Sequence, residues 1–443
     1  MSSENIIPLK ADDCLAFEDQ GYGNAMQHFI TKASDFEVFH FGKDYEEDLY
    51  LAHLNYKTGD WIAGRLVGEA YFNYDGQKYK ISVNPRFGDE HLFRMLEEIF
   101  NVRLTESNHA YDKSKSKQNL IRKLISFLWL NLLSKGNRHG LPRITKQKTY
   151  YGRKIRGRIN VRESLIPLKN EQKMVSTYRQ KEFDDRIVQL LKGAYEILLS
   201  DYHLGEMKQP HNAKHALDQL NQTSQPVQRL TKRQYKRIII KRIYKPFKPV
   251  IDLSWDIIRN NREADQRKGT EQSFSYFIDM AEIWEMYLRS LLKKRLSVHG
   301  WQLREENITT YQGKRFQKNL IPDIVFQRDD RFLVFDAKYK MMKFQPWDFD
   351  RSDFFQIHTY IQYFQQHFKN SKVVAGGLLY PLSANFSQDI QNQNSSNGLF
   401  SNDGGGTKFL VDGIDLSGIG NDDFDIHQQE ELFVERLKAT ILN

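Results

Sequence analysis

NLIPDIVFQRDDRFLVFDAKYK, residues 319–340, places two apolar runs around a charged QRDDR. The pattern predicts a β-hairpin, with the acidic pair at its turn. Yet each run carries an aspartate, and the second ends with a lysine two positions past its aspartate. If Asp329 and Asp330 form a two-residue turn, facing positions sum to 659 (329 + 330), and 323 + 336 gives the same sum. Asp323 and Asp336 then stand opposite each other, with α-carbons about 4.5–5.5 Å apart. Lys338 shares the face of Asp336, because side chains alternate along a strand. Two carboxylates and an ammonium are thereby predicted to converge.

Two adjacent carboxylates repel, and one of them ordinarily takes up a proton. A divalent cation removes the conflict, and Mg²⁺ suits such a set because it uses one or two carboxylates and keeps several waters. It can polarise a phosphoryl oxygen and acidify a bound water, while a neighbouring lysine orients that water or stabilises developing charge. Phosphodiester hydrolysis needs this combination. The alternative is a hairpin whose aspartates and lysine only form salt bridges. The cost of placing charges in apolar strands without a partner or a metal weighs against it.

The remaining composition is consistent with work on nucleic acid. At 443 residues the chain is expected to form two or three domains. A net charge of +9 is concentrated in YYGRKIRGRINVR (150–162) and LTKRQYKRIIIKRIYKPFK (230–248), where basic residues alternate with Tyr, Ile and Phe. Arg153, Lys154, Arg156, Arg158, Lys232, Arg233, Lys236 and Arg237 are the candidate DNA-phosphate contacts, since each cation placed on the backbone releases counterions. A solvated basic face, or one that meets an acidic protein, is the other reading. A single cysteine, Cys14, excludes an internal disulfide and a cysteine-rich zinc site. No apolar run is long enough to span a membrane and no signal peptide is evident, so a cytoplasmic protein is expected. No GxxxxGK[ST] P-loop, HExxH or GxSxG occurs, and the glycines at 404–406 read as loop.

The chain reads as α+β in three parts. Residues 1–110 are predicted to be a β-rich domain ending in the helix DEHLFRMLEEIFNV (89–102). Residues 111–270 form a mainly helical, basic middle, opened by NLIRKLISFLWLNLLSKG with Gly136 as its expected cap. Residues 271–443 are read as an α/β core: a long helix FSYFIDMAEIWEMYLRSLLKKRLSVHG (274–300), the hairpin, a second helix, the strand VVAGGLLYPL and a terminal helix. SQDIQNQNSSNGLFSNDGGGTK (387–408) reads as a surface loop.

IPD at 321–323, followed thirteen residues later by DAK at 336–338, resembles the PD-(D/E)xK nuclease motif. The form PDIVF…VFDAKYK is similar to the McrC family, the nuclease subunits of McrBC-type modification-dependent restriction systems. DMAEIWEMYL matches that family's preceding helix, with Glu285 as the added acid and Glu282 one turn earlier as a rival. DFFQIHTYIQYF resembles its following Gln-x-x-x-Tyr helix, so Gln356 and Tyr360 are implied to line the site, with an ordinary half-buried polar pair as the alternative. His358 on the same helix reads as a surface residue. GQKYKISVNPRFGDEHLFRMLEEIF and GRKIRGRINVRESL extend the likeness, although Arg86 stands where a lysine is expected.

The resemblance implies a Mg²⁺-dependent DNA endonuclease. Asp323, Asp336 and the Ala337 carbonyl would hold the metal, Lys338 would position the attacking water, and Glu285, Gln356 and Tyr360 would support them. It also implies an AAA+ partner ring of the McrB type that hydrolyses GTP and onto which the amino-terminal part docks. Two alternatives stay open. One is a PD-(D/E)xK nuclease of another repair or defence system; the other is a non-cutting activator of the partner's GTPase.

Overall fold

A computed structural model describes residues 6–32, 37–39, 41, 49–101, 120–201, 204–206, 209–223, 230–267, 276–305, 308–313, 315, 318–340, 350–368, 372–382, 406–421 and 423–442. The boundary expected at 111–118 and nearly all of the loop expected at 387–408 lie outside them. Two compact units result, one from residues 1–115 with 269–443 and one from 116–268.

The first unit opens with β1 (Ile6–Asp12), α1 (Gly23–Lys32), β2 (Glu37–Phe39), β3 (Ala52–Leu54), β4 (Trp61–Ala63), β5 (Leu66–Tyr74) and β6 (Gln77–Asn84). β5 and β6 form a hairpin about Asp75 and Gly76, both at positive φ, and β1 joins β6 in parallel. Leu9, Ala70, Phe72, Ile81 and Val83 bury the inner side of this sheet. The helix expected next is α2 (Gly88–Phe100), whose Leu92, Met95 and Leu96 are fully buried.

The second unit contains α3 (Leu120–Gly136), β7 (Arg143–Gly152), β8 (Arg158–Ile159), α4 (Val161–Glu171), β9 (Met174–Phe183), α5 (Asp185–Asp201), α6 (His211–Gln222), α7 (Lys232–Lys236) and α8 (Lys248–Arg267). Leu128, Trp129, Leu132, Leu190, Leu191, Leu220, Val250 and Ile257 are buried, and the Trp129 indole donates to Ser254 Oγ at 2.7 Å. Gly136 does not cap α3. Its φ of −66° keeps it helical, a 3₁₀ turn follows, and Gly140 at φ 76° ends the element. Nor is this unit helical throughout: β7 and β9 form a ten-pair antiparallel ribbon from Arg143↔Phe183 to Gly152↔Met174.

The chain then re-enters the first unit. Residues 276–279, expected to begin a long helix, form β10 (Tyr276–Asp279), which lies between β5 and β2 to give the order β1-β6-β5-β10-β2. The amino-terminal segment, read as a domain of its own, therefore shares its sheet with the carboxy-terminal one. The helix proper is α9 (Met280–Ser297), where the Asp279 side chain accepts from Ala281 N at 2.9 Å and so satisfies an orphan amide of the first turn.

Next come β11 (Gln302–Arg304), β12 (Ile308–Thr310), β13 (Lys318–Leu320), β14 (Ile324–Arg328), β15 (Arg331–Ala337), α10 (Arg351–His367), β16 (Lys372–Leu382), β17 (Lys408–Asp415) and α11 (Ile426–Leu442). The second sheet runs β11-β14-β15-β16-β17, antiparallel up to β15 and parallel beyond it, with α10 as the crossover between β15 and β16. Phe332, Val334, Val373, Leu378 and Val411 pack beneath Ile357, Tyr360, Ile361 and Phe364 of α10. Each such side chain contributes about 1.5–3 kcal/mol on burial, enough in sum to carry one buried aspartate in the same strand.

Candidate active site

The hairpin turns at Asp329, which adopts φ 55°, and its register is the one predicted: Ile324↔Phe335 through Arg328↔Arg331. Asp323 immediately precedes β14, and its Oδ2 accepts Ala337 N at 2.8 Å, tying the two aspartate-bearing segments together. Asp336 is 1% exposed. Burial raises its pKa, while Lys338 and a hydrogen bond with Asp323 oppose the rise.

The Lys338 ammonium lies 2.5 Å from Asp336 Oδ2, outside hydrogen-bonding geometry, and 3.2 Å from Asp353 Oδ1. It donates to Gln356 Oε1 at 3.0 Å, and Gln356 Nε2 donates to the Tyr360 hydroxyl at 2.9 Å. Burial alone would lower the Lys338 pKa, but the carboxylates of Asp336, Asp353 and Asp323 outweigh it and hold the pKa above its ordinary value. Burial likewise raises the Tyr360 pKa. The group thus combines a charged lysine, a phenol that stays protonated and two abutting carboxylates. The sheet and α9 position it jointly: the backbone N of Lys338 donates to Leu379 O of β16 at 2.9 Å, and the Trp284 indole of α9 donates to the same oxygen at 3.1 Å.

Glu285 does not complete a three-carboxylate set. It is buried on α9, 3.7 Å from Arg289 Nη1, and that guanidinium donates to the Asp323 carbonyl at 2.7 Å. Among the described residues no three His, Cys, Asp or Glu side chains converge as a metal-binding group. Glu282, its rival, accepts the Phe41 amide at 2.9 Å, in the segment that follows β2. His358 sits against Phe354 and Phe409, its Nδ1 2.7 Å from Phe354 O.

Residues 63–381, 319 of the 443, match the family described as McrBC 5-methylcytosine restriction system component. The chain belongs to that family. A chain of the refined half-complex from the tetradecameric assembly of Thermococcus gammatolerans McrB AAA+ hexamers with bound McrC is 14% identical, with 98% of this chain and 100% of that one covered and a TM-score of 0.51. The cryo-EM structure of the Thermococcus gammatolerans McrBC complex is 13% identical, covering 68% and 90%, with a TM-score of 0.38. No curated protein matches. Among the described residues no helix is long and apolar enough to cross a membrane.

In this McrBC-family chain the basic candidates belong to the second unit, and the hairpin belongs to the first. Arg153, Lys154 and Arg156 occupy the loop from β7 into β8, Arg158 opens β8, and all four are exposed. Arg156 stacks over Tyr150, 4.4 Å from its ring centroid. Lys232, Arg233 and Lys236 are exposed on α7, with Arg237 at its end. Sequence reasoning missed Asp353 and Arg289. Both carried a helical signal, Asp353 three residues before Gln356 and Arg289 four after Glu285.

Proposed function

We propose that this chain is the DNA-cutting subunit of an McrBC-type modification-dependent restriction complex. In this reading it hydrolyses phosphodiesters with Mg²⁺, and it works with, and stimulates, a GTP-hydrolysing AAA+ partner ring. The observation that carries the reading is the convergence of Asp323, Asp336 and Lys338 with Gln356 and Tyr360, five residues from three elements on one spot. McrC bound to McrB AAA+ hexamers, as named for the similar structure, supports the choice of partner.

The residues fit Mg²⁺. Asp336 is a buried carboxylate with no hydrogen bond to Oδ2, abutting a second carboxylate, and two carboxylates with one carbonyl leave room for the waters this ion retains. Asp323, Asp336 and the Ala337 carbonyl would hold it. When bound, the cation supplies Lewis-acid polarisation of a phosphoryl oxygen and a more acidic bound water.

The chain's own residues do the rest. Lys338, held as an ammonium, cannot accept a proton, so it orients the attacking water by donating to it and stabilises charge on the phosphate. Gln356 fixes the lysine, and Tyr360 fixes Gln356. Arg289 holds the Asp323 backbone and draws Glu285 into a supporting role. The eight candidate cations, exposed on the second unit, would bind phosphates without reading sequence. Exposed apolar side chains of the kind that mark protein interfaces occur in the amino-terminal segment (Tyr50, Tyr56) and on α4 (Val161, Leu165, Ile166).

The test is plasmid cleavage, with modified and unmodified DNA, by wild type and Asp336→Ala, each with the partner ring, GTP and Mg²⁺. Wild type is expected to cut only when metal and nucleotide are both present, and the variant not to cut. Equal cutting by both would remove the hairpin from the chemistry. GTP turnover that rises on adding a chain that never cuts would make it an activator.

A further inference from the structure

The Lys338 ammonium has three polar neighbours: Asp336 and Asp353 as ion-pair partners and Gln356 as a hydrogen-bond acceptor. A site that uses Asp336 to hold a cation must take that carboxylate from the lysine, and something else must then keep the ammonium in place. We propose that Asp353 is the positioning residue that does so, clamping Lys338 and Lys340 with its two carboxylate oxygens. The proposal rests on the nuclease reading above.

Asp353 stands in the first turn of α10 and is only 4% exposed. Its Oδ1 is 3.2 Å from Lys338 Nζ and its Oδ2 accepts from Lys340 Nζ at 2.7 Å. Lys340 is steadied in turn by Asp350 Oδ2 at 3.3 Å, and Asp350 is the capping residue of the same helix. A carboxylate this buried is tolerated because it is paired on both oxygens. Since both oxygens face lysines, Asp353 serves the lysines and not the cation.

Spacing supports the assignment. Asp353, Gln356 and Tyr360 lie at i, i+3 and i+7, one face of one helix, and the first two both reach Lys338. When Asp336 turns to a cation, Lys338 keeps Asp353 and Gln356, and the side of the ammonium that faced Asp336 becomes available to a water or a phosphate oxygen. Without Asp353 the ammonium is left to Asp336 and one neutral amide, and it is drawn towards the carboxylate that the cation needs.

Three measurements on the full chain test this. Mg²⁺ binding is read by calorimetry for wild type, Asp353→Ala, Asp353→Glu and Asp336→Ala. DNA cleavage is read with the partner ring, and thermal melting reports folding. A crystal structure of wild type with Ca²⁺ supplies the reading that depends on no variant. Asp353→Ala is expected to bind Mg²⁺ within about threefold of wild type and to cut on the order of 10²-fold more slowly, the loss that a misplaced group produces. Asp353→Glu is expected to recover part of that rate. With Ca²⁺ bound, Lys338 is expected on Asp353 and Gln356 and off Asp336.

Loss of Mg²⁺ binding in Asp353→Ala as complete as in Asp336→Ala would make Asp353 a ligand and overturn the proposal. So would cutting within twofold of wild type. If Ca²⁺ sits at Asp323 and Asp336 while Lys338 has left Asp353, the clamp is wrong and the nuclease reading stands. If wild type neither binds the cation there nor cuts, the nuclease reading fails and the clamp with it.

Discussion

Asp13 and Asp336 are both aspartates that burial pushes towards the neutral form, but only Asp336 stands in a set with evident chemistry. Asp13 is fully buried beside Arg86, whose backbone N donates to its Oδ1 at 2.5 Å, and burial raises its pKa to about 6 despite the opposing Arg86 charge. A folded pKa above the unfolded 3.8 means that the folded state binds the proton more tightly. The associated stability is present in full below pH 3.8 and is lost as pH rises through about 6. The rise corresponds to about 3 kcal/mol. Urea unfolding of wild type and Asp13→Asn at pH 4 and pH 7 is therefore expected to show wild type losing about 2.4 kcal/mol relative to the variant between the two, since at pH 4 part of the unfolded carboxyl has already ionised. A pH-independent difference would refute the assignment. At this scale the hairpin register brought Asp323, Asp336 and Lys338 together in the sequence, because register is short-range geometry, whereas Gln356 and Tyr360 were named only through the family resemblance. Asp353 and Arg289 stayed hidden because their importance depends on what α10 and α9 pack against, which no local spacing states.

The hairpin and the ribbon show why some elements were legible and others were not. β15 is an apolar run whose single aspartate stands out, so strand and site were read together. β7 offers no such contrast: its half-buried positions are Ile144, Lys146, Lys148 and Tyr150, and its exposed ones include Thr145, Gln147 and Thr149. The lysines are tolerated there because they pair with acids, Lys146 and Lys148 with Glu182 across the ribbon and Lys146 also with Asp185 at the start of α5. An apolar–polar alternation does not exist to be found, and the segment passes for polar helix or loop. The ribbon matters because it carries the basic loop. At Gly157, with φ 77°, an added Cβ would meet Thr177 O at 2.4 Å, so the loop folds back tightly on β9. Arg153 and Lys154 on the loop, with Arg158 at the start of β8, are exposed cations. Replacing these three with alanine is expected to reduce the slope of log K against log salt for duplex DNA by about 2.7, at roughly 0.9 for each phosphate no longer neutralised. Binding titrations at four or five salt concentrations measure this, and an unchanged slope would show that the loop meets something other than phosphate.

On the scale of the whole molecule, the first unit is built from two distant stretches of chain, and buried charge holds them together. β10 completes the amino-terminal sheet, while α2 lies against α9 and α11 through a polar group with Glu430 at its centre. Arg94 of α2 pairs with both Glu430 oxygens, at 2.8 and 2.7 Å, and the Tyr287 hydroxyl of α9 donates to one of them at 2.6 Å. Glu98 of α2 meets Lys294 and Ser290 of α9 in the same way. None of this was legible: SYFID does not say which strands it joins, and an arginine and a glutamate 336 positions apart leave no joint pattern in the sequence. Glu430 is 0% exposed, and Arg94 is the guanidinium that pairs with both of its oxygens. Arg94→Met is expected to destabilise the chain by about 3–5 kcal/mol, the cost of stranding a buried charge. Adding Glu430→Met to that variant is expected to recover most of the loss, because an apolar pair of similar volume needs no desolvation. Denaturant unfolding of the two single variants and the double variant closes the cycle. If the double variant were no more stable than Arg94→Met, the contribution of Arg94 would lie in its packing and not in its charge, and the two stretches of the unit would be held by their apolar faces alone.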